Sequence, residues 1–435
     1  MVNSRYAALS RSELAVLVPE LLLCGHLIDR SGMAHALGAF GRAGMTEVAI
    51  EEWRLASPIY TRRMRRALGI TGDGVDTIFK GFQLDIGAPP QFMDFRFLVR
   101  DHDYGEFHLD HCGALADVEP MGEDFVVGMC HHIEDPTFDA TALATNPHAR
   151  VRPVHRPPRV PADRTPVCAW TVTIDPGHEP PPPIADAELV AGTHAAGIAL
   201  TAIDPEDPGQ HEYSGPLLSD LRFGDFSRSA LIRIADEVCL QHHLLTLGFR
   251  TAVEARTDPE RALDIVRKQF TGIAGLTAER IRLALGLGDD AAALAKVLRL
   301  HPAFNPAAYV DAEVSTETTG GEQTVELRLG RACGAVDDGA WAALLVEPGN
   351  LAPLDAMVRG VNPHYRTAVR AVSDCSLTVE ITRADTPFRE APEVAITRFS
   401  SGAGFTFTDR GTPLPLIQAP ARRPVNPTMR CDNSL

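Results

Sequence analysis

Apolar residues recur at helical spacing over positions 12–28 and again over 229–247. Each stretch is followed by a segment rich in Ala, Leu, Arg and Glu, 32–84 and 249–300, that reads as two or three further helices. The period then changes. From about residue 92, Phe95, Phe97 and Val99 alternate with polar residues, and 126–133 is a compact β-prone run. Positions 167–174 and 377–381 alternate as closing strands. Helices first and strands after predict an α+β unit with an antiparallel sheet, used twice.

The residues themselves repeat. Ser10-Arg11-Ser12-Glu13-Leu14 matches Ser227-Arg228-Ser229-Ala230-Leu231 at an offset of 217, and at the same offset Glu20 meets Glu237 and His26 meets His243. Ala67-Leu68-Gly69-Ile70 falls on Ala284-Leu285-Gly286-Leu287, and Asn146-Pro147-His148 later falls on Asn362-Pro363-His364. The expectation is an internal duplication, a pseudo-dimer in one chain. Residues 1–175 form an active copy, 176–226 a Pro-rich connector, 227–400 a degenerate second copy and 401–435 a tail.

Composition narrows the partners. A formal charge of −16 and the lack of a long Lys/Arg block argue against nucleic acid and against an anionic membrane. The most apolar early stretch, 14–28, is interrupted by Pro19, Glu20 and His26, so no membrane helix or signal peptide is expected. Eight scattered cysteines read as reduced thiols in a cytoplasmic protein rather than a disulfide framework. A small-molecule substrate is the expected partner, and a homodimer remains open.

The chemistry concentrates in the first copy. Six histidines (102, 108, 111, 131, 132 and 148) lie within 47 residues, around Phe107-His108-Leu109-Asp110-His111-Cys112 and Met129-Cys130-His131-His132-Ile133-Glu134-Asp135. Imidazoles, thiolates and carboxylates at this density suit zinc or iron, one ion per chain. If both runs are extended, His108, Asp110 and Cys112 share one face, and Cys130, His132 and Glu134 share another. In the second copy Leu329 and Val346 stand against His108 and Cys130, which suggests that this face is interior. His108, Cys112, Cys130 and His132 are thus the expected metal ligands, three binding at once beside an open position. Glu134 or Asp110 is the expected general base, and Arg150 and Arg152 would orient an anionic substrate. A metal-free alternative has Cys112 as nucleophile with His111 or His131 as base. Cys24, Cys168 and Cys375 are expected in the core, and His26 and His243 as structural contacts.

Cys112-Gly113-Ala114-Leu115, Cys130 followed by Glu134-Asp135, Asn146-Pro147, an Arg/Pro stretch and Cys168-Ala169-Trp170 together resemble the L-2-amino-thiazoline-4-carboxylate hydrolase-like family. That family is similar to the 4-vinyl reductase small-molecule-binding domain. The resemblance covers about residues 80–175. It implies a hydrolase acting on a small heterocyclic or carboxylated substrate, roles for Cys112, Cys130 and one acid of Glu134-Asp135, and, through the second family, a cysteine-bound zinc. The expected function is a metal-dependent enzyme, most readily a hydrolase. The alternatives are a non-catalytic small-molecule or metal sensor and, with iron, an oxidative or lyase enzyme.

Overall fold

The computed structural model describes residues 3–319, 322–410 and 416. Helix α1 (Arg11–Ala67) opens on a reciprocal cap, Ser10 Oγ accepting the Glu13 N–H at 3.2 Å and the Glu13 carboxylate accepting the Ser10 N–H at 2.8 Å. It is two helices joined at Gly41, whose φ of 68° is strained for any side chain with a Cβ. Helix α2 (Val75–Phe82) leads into β1 (Met93–Val99) and β2 (Tyr104–Cys112). Helices α3 (Gly113–Val118), α4 (Glu123–Val127) and α5 (Glu134–Leu143) precede β3 (Ala149–His155) and β4 (Cys168–Ile174). The four strands form an antiparallel sheet in the order β1-β2-β4-β3. Its covered face carries Phe107, Leu109, Trp170 and Val172, all buried. Phe82 and Phe138 close over it, with ring centroids 5.8 Å from Phe107 and 5.0 Å from Trp170 respectively.

The run 126–133 is not a strand. Val126 and Val127 end α4, and Gly128–Ile133 forms a π-helical turn that passes directly into α5. A short apolar run has no period of its own, so β-branched residues could not decide it. Packing of Val126, Cys130 and Ile133 into the core does.

Between the halves, α6 (Ala187–Ala191) and α7 (His194–Gly197) interrupt an otherwise extended strap. Arg63 donates to the carbonyls of Ala196 and Ile198, both at 2.9 Å, and Thr201 donates to Asp236 at 2.6 Å. The second half runs α8 (Arg228–Glu254), α9 (Pro259–Ala284), α10 (Ala291–Leu300), β5 (Ala312–Thr319) and β6 (Glu322–Gly330). Helices α11 (Gly334–Asp337), α12 (Trp341–Leu345) and α13 (Ala352–Val361) follow, then β7 (Tyr365–Val372) and β8 (Ser376–Arg383). Its sheet order, β5-β6-β8-β7, repeats that of the first. Contacts between the halves recur with the partners exchanged. Arg63 pairs with Glu237 at 2.7 Å and Arg280 with Glu20 at 2.6 Å, all four side chains nearly buried. Arg11 Nε donates to the Phe226 carbonyl at 2.7 Å, and Arg228 Nε to that of Leu9 at 2.8 Å. This reciprocity is that of an isologous two-fold interface.

The last described segment belongs to neither sheet. After α14 (Pro392–Thr397) the chain lies along the first half. Ser400 Oγ donates to Asp117 at 2.6 Å, and the Phe405 ring meets that of Phe92 at 5.2 Å. Arg280 holds it by donating to the carbonyls of Gly402, Ala403 and Phe405. The expected boundary at 400/401 therefore cuts through a continuous strap, and most of the expected tail lies outside the described residues. Among the described residues no helix is long and apolar enough to cross a membrane.

Candidate functional site: a two-chamber cavity

The strand parity expected for β2 is reversed. Phe107 and Leu109 point inward, while His108 is half-exposed and Asp110 exposed on the other face. There His108 Nε2 lies 3.3 Å from Asp110, and Asp110 accepts from Arg96 at 3.0 Å. Leu329 is itself an inward residue of β6, so pairing it with His108 was a slip of one position, which exchanges the faces. Cys112 nevertheless returns to the interior. The register of β1 on β2 shifts between Met93 and Phe95, and the extra residue turns Cys112 back to the covered side. His111 is exposed and stacks on Phe405, with centroids 6.4 Å apart.

The helical turn at 128–133 divides the other expected ligands. Cys130 is buried, His132 is exposed, and His131 bonds the Pro157 carbonyl at 2.7 Å. Arg150 and Arg152 occupy the β3 positions that alternate with buried Ala149 and Val151, and Arg152 is spent on Asp139 at 2.8 Å. Arg156 is paired with Asp135 at 2.5 Å, lies 5.9 Å over the Trp170 ring and is near enough to Glu134 to lower its pKa, while the arginine on the cavity wall is Arg30. Cys375, expected in the core, is exposed in the turn before β8.

The structure gathers a different set. Cys112, Cys130 and Cys168 lie close enough to Glu134 to feel its charge. Glu134 opens α5 at the wall of a cavity of about 90 Å³. Burial first, and then the Asp135 carboxylate, push the Glu134 pKa up to about 8, against the pull of Arg156 and Arg30. Across the same wall lies His26 on α1, 4% exposed, with no well-formed hydrogen bond at either ring nitrogen. Burial lowers its pKa to about 4, Arg30 adding to the effect. Asp29 accepts from the Trp53 indole at 3.3 Å and pairs with Arg30 at 3.0 Å. Asp85 accepts from Tyr60 Oη at 2.8 Å and from the Gly87 N–H at 2.7 Å, yet burial still raises its pKa to about 6. Glu52, fully buried with both oxygens lacking a donor, is pushed well up by burial and by the neighbouring Asp29.

A second, larger chamber of about 570 Å³ shares Asp29, Arg30, Met129 and Ile133 with the first. Its other walls are mainly apolar, among them Met33, Leu37, Met45 and Phe125, and Ile396 to Ser401 of the strap close one side. The size is that of a small-molecule site.

Sequence reasoning overlooked Asp29, Arg30, Glu52 and Asp85. A usable signal was present: at the 217 offset they meet Thr246, Leu247, Gln269 and Pro302, none of them charged. His26 and His243, both expected as structural contacts, differ in their surroundings. His243 gives its Nε2 to the Asn305 carbonyl at 2.9 Å and packs 5.5 Å from Trp341. Trp341 also stacks on Phe270, the counterpart of Trp53, at 4.9 Å. The second half thus fills with an indole the place that the first half leaves open.

The described residues of this region do not form a site for the implied zinc. Among the described residues no three His, Cys, Asp or Glu side chains are arranged to hold a metal ion. His108 and His132 are remote from the thiols by face and by element. Cys112 is a buried thiol pushed up to about 12 by burial and Glu134, and its Sγ accepts the Leu115 N–H at 3.3 Å as a helix cap. The expected ligand set does not fit the ion as arranged. Comparison of the chain with protein-family models, with curated proteins and with solved structures finds no match.

Proposed function

We propose that this chain is an enzyme acting on a small organic molecule by proton transfer, with hydrolysis as the leading reaction. One observation carries the reading. Two proton carriers lining one chamber have pKa values driven in opposite directions, Glu134 up to about 8 and His26 down to about 4. At pH 7 Glu134 holds a proton that it can give to a leaving atom. His26 is neutral and keeps a lone pair that can take a proton from water. Water then adds across the scissile bond: one product gains the hydroxyl, the other gains the Glu134 proton, and the proton on His26 returns to Glu134. The inner chamber has room for a water beside a small polar group. The resemblance to the L-2-amino-thiazoline-4-carboxylate hydrolase-like family supports hydrolysis as the reaction class, and the seven unpaired cysteines among the described residues support a cytoplasmic setting. A carboxylated substrate is disfavoured by the acids that line both chambers.

The test is a thermal-shift screen of small amides, esters and heterocycles, with products followed by mass spectrometry. Turnover should fall roughly 10²–10⁴-fold in Glu134→Gln while ligand binding persists. A substrate hydrolysed equally well by that variant would sink the assignment. A non-catalytic ligand sensor is the second reading. It is favoured by the strap from the second half, which forms a wall of the outer chamber and so links occupancy to contact between the halves.

A further inference from the structure

The inner chamber joins two kinds of surface that seldom meet by chance. Aromatic edges and faces from Trp53, Phe82 and Phe138 line it together with the carboxyl groups of Asp29, Asp85 and Glu134. Its one cation among the described lining residues, Arg30, is already engaged by Asp29 at 3.0 Å and Asp117 at 3.4 Å. An anionic ligand would have to compete with Asp29 and Asp117 for that one guanidinium. His26 adds a buried imidazole with no well-formed hydrogen bond at either nitrogen, the Gly87 backbone lying close enough to interact with one of them and leaving the other as an acceptor. The fold does not require this chemistry, since the second half replaces Asp29 by Thr246 and Arg30 by Leu247 and packs Trp341 into the region.

We propose that the ligand is an amphipathic amine, its protonated nitrogen seated in the inner chamber among these carboxyls and rings and its apolar body in the outer chamber. Ring faces attract an ammonium through their quadrupole, and the effect strengthens when the group is removed from water. The carboxyl oxygens and the His26 lone pair accept its N–H groups. The methionine-rich wall of the outer chamber (Met33, Met45, Met129) adapts to an apolar body of no fixed shape. This identifies the substrate class of the site described above and rests on that reading.

Three probes of nearly one shape separate the outcomes: 2-phenylethylamine, 2-phenylethanol and 3-phenylpropanoate, titrated calorimetrically into the full chain at pH 7 and low salt. The amine should bind at least tenfold more tightly than the alcohol, and the carboxylate should give no measurable heat. Asp29→Asn, which takes a carboxylate charge from the chamber wall, should weaken the amine several-fold and leave the alcohol unchanged. Leu37→Trp, or Ala34→Trp at the rim should Leu37→Trp misfold, should weaken both by crowding the outer chamber. Equal affinity for amine and alcohol, with both lost on crowding, overturns the amine and leaves the small-molecule site standing. Tightest binding of the carboxylate overturns the amine as well. Binding of none of the three, or binding indifferent to the crowding variants, overturns both.

Discussion

Glu134 offers a test that needs no substrate. Its carboxyl titrates at about 8 in the folded chain against an ordinary value of 4.5. Below pH 4.5 it is protonated whether the chain is folded or not, and it contributes nothing. As pH rises past 4.5 the unfolded chain loses this proton while the folded chain keeps it, so folding is progressively disfavoured until the folded group also ionises near pH 8. At 1.36 kcal/mol per unit the accumulated penalty at pH 8 has an upper limit of about 4–5 kcal/mol. Screening by cavity water scales it down, and about 2–4 kcal/mol is the expected range. Glu134→Gln removes the ionisation and keeps the shape, so the variant should be the more stable protein at pH 8 and near parity at pH 4.5. An unfolding entropy of about 2.1 cal/mol/K per residue over 435 residues gives roughly 0.9 kcal/mol per degree. The melting-point difference between variant and parent should then grow by about 2–4 °C between pH 4.5 and pH 8. Differential scanning calorimetry at several pH values reads it, and the other buried acids cancel because they titrate in both proteins. A difference that stays constant with pH would show that Glu134 titrates normally and that the chamber does not desolvate it.

Other perturbations probe the frame. Arg63→Ala leaves Glu237 buried without its partner and should cost about 3–5 kcal/mol, read as a fall in denaturation midpoint; a loss under 1 kcal/mol would show that the pair is not desolvated. Gly113→Ala places a Cβ 2.1 Å from the Phe92 ring, which packs against His26, and should cost at least ~1–3 kcal/mol and disturb the chamber wall. A variant as stable as the parent would refute that close approach. His132→Ala, at an exposed position, should stay within about 0.5 kcal/mol of the parent. Prolonged dialysis of the parent against a chelator should leave its midpoint in place, and a marked drop would restore a metal to the site.

Sequence carried the frame further than the site. The alternation of Phe95, Phe97 and Val99 and that of Trp170 and Val172 announce strands because a sheet with one covered face repeats every two residues. The apolar spacing over 12–28 and 229–247 announces helices because one face of each is buried, as α1 and α8 show. The site was harder to read because its parts come from separated elements. His26 and Asp29 lie on α1, Asp85 in the loop after α2 and Glu134 on α5, and only tertiary packing brings them to one cavity. The dense histidine cluster drew attention to residues that folding disperses: His108 to the outer face, His131 to Pro157 and His132 to solvent. Glu134 was legible as an acid beside Cys130, although it was placed on a strand and its environment is a helix start.

The wall formed by Ile396 to Ser401 has a consequence in time. On a ribosome, Glu134 emerges roughly 260 residues before that segment, an interval of about 10–50 s at 5–20 residues per second. During that interval the first sheet and its helices can fold while the methionine-lined chamber stands open on one side. Binding competence is therefore scheduled late, set by synthesis of the half that carries none of the site's acids.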